Sequence, residues 1–170
     1  MPILAALAIL LALGPVAFAA GNDRPAPRLQ SGPTLARIAR DAGCTLTEFK
    51  DDMKTNPPVT GAFVERARVA DGSYAGRRPP SLNDTVHAML HGRVLFQYRP
   101  GLPTPAVAAL ERLTRADTYN VLLFENQTGM SASVAATAYL SVMTCPRVDR
   151  DVLKAFTAFR DRRRAFGQDF

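Results

Sequence analysis

Arg93-Val-Leu-Phe-Gln-Tyr98 and Asn120-Val-Leu-Leu-Phe-Glu125 are short apolar runs rich in strand-favouring residues, and they decide how the chain is read. Pro100-Gly101 stops the first run and Asn126-Gln-Thr-Gly129 follows the second, so both read as buried strands of limited length. Between them Thr104 serves as a cap and Pro105 suits a first helical turn. From Pro105 to Arg115, Val107, Leu110 and Leu113 share one face while Glu111, Arg112 and Arg115 lie on another. A strand, an amphipathic helix and a second strand in this order predict a parallel pair joined by a crossover helix.

Toward the carboxyl terminus, Ser133 to Thr144 carries alanines that suit a helix and Val134, Thr137, Tyr139, Val142 and Thr144 that suit a strand. The segment reads as strand, with a hairpin running from Phe124 back through Ala138 and Cys145 at a strand end before Pro146. Asp149 to Ala165 then places Val152, Phe156 and Phe159 on one face of a closing amphipathic helix. Toward the amino terminus, Asn83 or Asp84 caps a short helix that carries His87, Met89, Leu90 and His91 and ends at Gly92. Residues 55–81 hold Pro57-Pro58, Gly61, Asp71-Gly72, Gly76 and Pro79-Pro80, and read as loop. Before it, Leu35, Ile38, Ala39 and Ala42 recur at helical spacing until Gly43 stops the helix just ahead of Cys44. The expectation is a single α/β (α+β) domain over residues 34–170, with a mixed sheet in the order helix, loop, helix and then β-α-β-β-α.

Residues 1–20 form an apolar run with no charged side chain that ends in Ala17-Phe18-Ala19-Ala20, the small-x-small form a signal peptidase accepts. Export to the periplasm or the extracellular space follows, with an uncleaved amino-terminal membrane anchor as the alternative. Residues 21–33, with Pro25, Pro27 and Pro33, read as a Pro-rich linker. Two cysteines outside the cytoplasm more often pair than react, so Cys44 and Cys145 are expected to form a disulfide.

The net charge of +6 includes Arg160, Arg162, Arg163 and Arg164 in one carboxyl-terminal cluster. Such a cluster is a possible contact for an anionic envelope or membrane surface, or simply the solvated end of a helix. Nucleic acid is not an expected partner of an exported protein.

His87 and His91 are the two histidines of the chain and stand four residues apart. On a helix that spacing stacks both imidazoles on one face, where they can share a metal ion such as Zn or Cu. Three function classes follow. The first is a weak transition-metal-binding module built on His87 and His91. The second is a structural or interaction protein of the cell envelope in which both rings are merely packed and hydrogen-bonded. The third is an enzyme, for which the sequence offers little: there is no Gly-x-Ser-x-Gly elbow and no phosphate-cradling glycine loop, and a His-Glu-x-x-His signature fails at Ala88.

Several stretches taken together resemble one family. They are Asn56-Pro-Pro-Val-Thr-Gly-Ala-Phe63, Gly72-Ser-Tyr74, Val86-His-Ala-Met-Leu-His-Gly92, Tyr98-Arg-Pro100, Val134-Ala-Ala-Thr-Ala-Tyr139 and Cys145-Pro-Arg147. In this order they are similar to domain-of-unknown-function family 3105 (DUF3105), whose members are usually exported or membrane-attached. The resemblance runs from about Gly43 to Arg164 and implies no established activity. It implies a set of metal-competent groups that this chain lacks in part, because the family pattern has a third histidine where Phe63 stands and a glutamate where Leu90 stands. Two imidazoles leave a metal mostly hydrated unless Asp84, a methionine or a second subunit contributes. Met89, Met130 and Met143 are the thioethers that Cu(I) would accept.

Overall fold

A computed structural model describes residues 34–166, apart from 53, 64 and 66–68 and the side chains of 164–166. The apolar segment 1–20 and the linker 21–33 lie outside the described residues. Among those described are four helices and six strands, in the order α1 (Leu35–Asp41), β1 (Thr45–Glu48), β2 (Gly72–Ser73), α2 (Leu82–Leu90), β3 (Val94–Tyr98), α3 (Thr104–Ala116), β4 (Val121–Glu125), β5 (Val134–Ala138), β6 (Ser141–Cys145) and α4 (Arg150–Phe166). The strands form one mixed sheet in the order β1-β6-β5-β3-β4-β2. The fold is the expected mixed α/β single domain.

The β3-α3-β4 unit has the parallel pairing its sequence predicts, with Phe96 beside Leu123. On its other side β3 pairs antiparallel with β5, Phe96 facing Ala136. The segment 133–144 is therefore strand, but the expected hairpin from Phe124 through Ala138 is not what forms. Strand β5 skips β4 and joins β3, and the hairpin is β5-β6, turning at Tyr139-Leu140 with Leu140 in the left-handed region at φ 57°. The pairing choice follows from burial. Every residue of β3 and β5 is buried, so each needs covered faces and hydrogen-bonded neighbours on both edges.

Two more strands complete the sheet, the second of them within the 55–81 stretch read as loop. Strand β1 follows Cys44 directly and pairs antiparallel with β6, while the two-residue β2 runs parallel to β4.

Alternation along the strands sends side chains to two faces. Val94, Phe96, Tyr98, Val121, Leu123, Val134, Ala136 and Met143 share one core with Leu35 and Ala39 of α1, Leu110 of α3, and Val152, Phe156 and Phe159 of α4. Phe156 lies against Phe96 with ring centroids 4.9 Å apart. The opposite face carries Leu95, Leu122 and Phe124, covered by Val86, Ala88 and Met89 of α2.

Helix α1 ends as its sequence predicts. Gly43 at φ 70° lets its own N–H reach the Arg40 carbonyl and that of Cys44 reach Ala39. Cys44 is thereby delivered to Cys145 at the end of β6, and the two form a disulfide.

Helix α4 is capped by Asp149, whose Oδ1 accepts the N–H groups of Val152 (2.9 Å) and Asp151 (3.0 Å). These bonds, that of Val152 first, together with the Arg147 side chain hold the Asp149 carboxyl below the usual carboxylate range. Replacing it with alanine is expected to cost about 1 kcal/mol in urea unfolding at neutral pH. Because the folded-state value is the depressed one, the carboxylate stabilises the fold above its ordinary pKa. The difference between Asp149→Ala and the parent should shrink as pH falls below the carboxylate range.

Candidate functional site

Helix α2 is capped by Ser81, ahead of the expected Asn83 or Asp84. The Ser81 hydroxyl accepts the Asp84 N–H (3.2 Å) and donates to Asp84 Oδ2 (2.7 Å). The helix buries Thr85, Val86, Ala88 and Met89, and that choice of face decides what lies opposite. Asp84, His87 and His91, at i, i+3 and i+7, follow one another along the other side. At the far end Gly92, at φ 74°, donates to the Met89 carbonyl and Arg93 donates to Ala88, so the chain leaves the helix and enters β3 at Val94 without a loop. The histidine pair thus sits at the carboxyl end of a helix clamped directly to a central strand, with His87 in its last turn and His91 as the residue that caps it.

The two imidazoles converge. His87 Nε2 and His91 Nε2 are 2.8 Å apart, with ring centroids 4.7 Å apart and planes inclined by 30°. An N–H···N bond at this distance needs one Nε2 to carry hydrogen and the other a free lone pair. A single ion bound by both lone pairs is the other arrangement that brings two imidazole nitrogens this close. His87 is half-buried and His91 exposed. They open on a cleft of about 270 Å³ lined by Val69, Asp84, His87, Ala88, His91 and Arg93.

Arg93 does not leave a bare cation there, because its Nε is 2.7 Å from Asp71 Oδ1, and Asp71 Oδ2 accepts the Asn120 N–H at 2.9 Å. Among the described residues no group of three or more His, Cys, Asp or Glu side chains is arranged to hold a metal. Asp84 lines the cleft without completing such a group.

The structure places Phe63 at the pair. Its ring meets His87 edge-on at 5.7 Å between centroids, inclined by 78°. Position 63, where the resemblance implies a third histidine, therefore lies beside His87, which spacing along the chain could not reveal.

What brings Phe63 there is a tethered loop. Asn56 Nδ2 donates to the Thr128 carbonyl (3.0 Å) and Thr128 Oγ1 donates to Asn56 Oδ1 (2.6 Å). Val59 is fully buried and accepts from the Leu140 N–H. Behind Thr128 stands Asn126, buried, which donates to Gln97 Oε1 at 2.8 Å, and Gln97 in turn donates to Thr137 at 3.0 Å. Gln127 donates to the Pro80 carbonyl at 2.6 Å and so ties the turn after β4 to the start of α2.

The three described methionines stand elsewhere. Met89, Met130 and Met143 are all buried in the core, so none offers a thioether to the cleft.

The arginine cluster is also not a common surface. Arg160 is only 9% exposed and ion-paired with Asp161 (2.9 Å) and Asp117 (3.7 Å). Arg163 pairs with Glu48, donates to Ser141 Oγ at 2.6 Å and lies over the Phe159 ring. Both stitch α4 to its neighbours. Arg162 is exposed, and the Arg164 side chain lies outside the described residues. Arg160 and Arg163 therefore belong neither to an open anion-binding surface nor to a solvated helix end, because their aliphatic stems complete the packing and their charges are already matched.

With the geometry in place, comparison with known proteins adds one finding. A family model described as "Protein of unknown function (DUF3105)" matches residues 49–168. No curated protein and no solved structure matches the chain.

Proposed function

We propose that this chain, which belongs to the DUF3105 family, is an exported domain that takes up a transition-metal ion on His87 and His91. The observation that carries the reading is the 2.8 Å convergence of the two Nε2 atoms over an open cleft. Two imidazoles one turn apart, His87 on the helix and His91 at its cap, form a chelate, and the rest of the coordination shell is left to water or to an incoming ligand. That arrangement suits an exchangeable ion better than a structural one, which takes four protein ligands.

Export is supported by the Cys44–Cys145 disulfide, since such bonds persist in oxidising compartments, and by the apolar run at residues 1–20. Among the described residues no helix is long and apolar enough to cross a membrane.

A second reading, an envelope interaction domain without metal, draws on the same distance, because an Nε2–H···Nε2 bond would satisfy the two rings mutually. Calorimetric titration of the full-length chain with Zn(II) and with Cu(II) separates the two. The metal reading expects one saturable site of micromolar affinity or tighter that is abolished in the His87→Ala, His91→Ala double variant. It also expects Phe63→His to tighten binding at least tenfold, since a third imidazole would then stand beside His87. No binding, or binding that the double variant keeps, establishes the second reading instead.

A further inference from the structure

The spacing of the pair also bears on which ion it takes, an inference that rests on the metal reading above. Imidazole nitrogens bind first-row metal ions at about 2.0 Å. With Nε2 atoms 2.8 Å apart, a shared ion at that distance subtends an angle of about 90° between them. A tetrahedral ion would need the same two atoms roughly 3.3 Å apart at that bond length. Opening the pair by that amount rotates rings that are in contact with each other, and His87 is also in edge contact with Phe63.

Two further observations and the general affinity order of divalent ions point the same way. The cleft offers a pair of imidazoles and no group of three or more metal-binding side chains among the described residues, whereas Zn(II) sites use three or four protein ligands. Cu(II) stands at the top of the divalent affinity order for nitrogen donors, so it is the ion that two imidazoles hold most firmly. The thioethers that would favour Cu(I) are buried in the core at Met89, Met130 and Met143.

We infer that His87 and His91 occupy adjacent equatorial positions of a tetragonal Cu(II) ion, with the remaining equatorial positions open to water or an exchangeable small ligand. The cleft of about 270 Å³ accommodates the ion with several waters, each of which takes about 30 Å³ in the liquid.

The test loads the full-length chain with one equivalent of Cu(II), and separately of Co(II), and compares the parent with His87→Ala, His91→Ala and the double variant. The expected result is an axial Cu(II) electron paramagnetic resonance spectrum with hyperfine coupling to two nitrogens, falling to one in each single variant with at least a tenfold loss of affinity. Co(II) should give the weak visible bands of a five- or six-coordinate ion. Strong tetrahedral Co(II) bands together with a markedly rhombic Cu(II) spectrum, both dependent on the histidines, overturn the tetragonal assignment and leave the metal site standing. Signals that the double variant retains in full overturn both.

Discussion

The Cys44→Ala, Cys145→Ala double variant is expected to lose about 4–5 kcal/mol of unfolding free energy relative to the oxidised parent, more than removal of a helix cap or of a single buried polar side chain. The bond spans 101 residues, and the entropy of closing a loop of that length in the unfolded chain sets this figure. The native geometry makes the loss hard to offset. Strand β1 begins one residue after Cys44 and lies at the sheet edge, with Leu46 its one partly buried residue, so its apolar contacts are few. Cys145 ends β6, the strand to which β1 pairs, and Thr45 faces Thr144 next to the bond. Helix α1 adds Leu35 and Ala39 to the core but is only seven residues long. Without the staple, β1 and α1 hold to the domain by the four-residue ladder to β6, by the packing of α1 and by the Arg163–Glu48 pair. Urea unfolding of both proteins measures the difference. A loss below about 1 kcal/mol would mean that the unfolded chain is not appreciably restricted by the bond.

Asn126→Ala is expected to cost about 3 kcal/mol, unusually much for the loss of one polar side chain. Asn126 donates to Gln97 Oε1 and Thr128 Oγ1, and its own oxygen accepts the N–H groups of Thr128 (2.9 Å) and Met130 (3.2 Å). Truncation leaves the Gln97 oxygen and the Met130 N–H unpaired, both in buried residues, at about 1–3 kcal/mol for each orphaned group. The effect should extend beyond stability. Thr128 loses the partner that orients it, and Thr128 is what holds Asn56 at the base of the loop that presents Phe63 to His87. Limited proteolysis within residues 56–63 should therefore accelerate by more than the change in global stability accounts for. If cleavage merely follows the global loss, the network stabilises the core and does not position the loop.

The β3-α3-β4 unit is legible in the sequence because its signals are local: apolar runs of strand length, a proline in the first helical turn, and a clean division of helix faces. Strand β1 is not, because Thr45-Leu-Thr-Glu48 is largely exposed and owes its conformation to β6, about a hundred residues away. Strand β2 is two residues long and leaves no period to read. The β5-β6 turn is hidden because Tyr139-Leu140 contains none of the usual turn residues, yet Leu140 adopts a positive φ there. Which strand β5 joins is a question of burial on both edges of β3, and no window of sequence contains that.

At the site, the helical stacking of His87 over His91 is readable from spacing alone. The approach of Phe63 is not, since it depends on Asn56 finding Thr128 across 72 residues of chain. The arginines mislead for a related reason. A run of like charges reads as a solvated face, whereas Asp117 and Glu48, brought in by other elements, match Arg160 and Arg163.

The strand order has a consequence for how the molecule is made. Proteins emerge from the ribosome or a translocation pore amino-terminus first. Among the described residues, β1 is the first strand to appear, and its sole neighbour in the sheet, β6, is the last. The central strand β3 likewise waits for β4 and β5, both of which follow it. During synthesis or transport the early third of the chain therefore lacks its strand partners, and Cys44 travels as an unmatched thiol until Cys145 arrives. Oxidation that outruns arrival finds Cys44 without the partner it has in the finished fold. Correct closure therefore requires oxidation that comes late or is reversible, and the yield of the closed domain should depend on the rate of synthesis as much as on the stability of the finished fold.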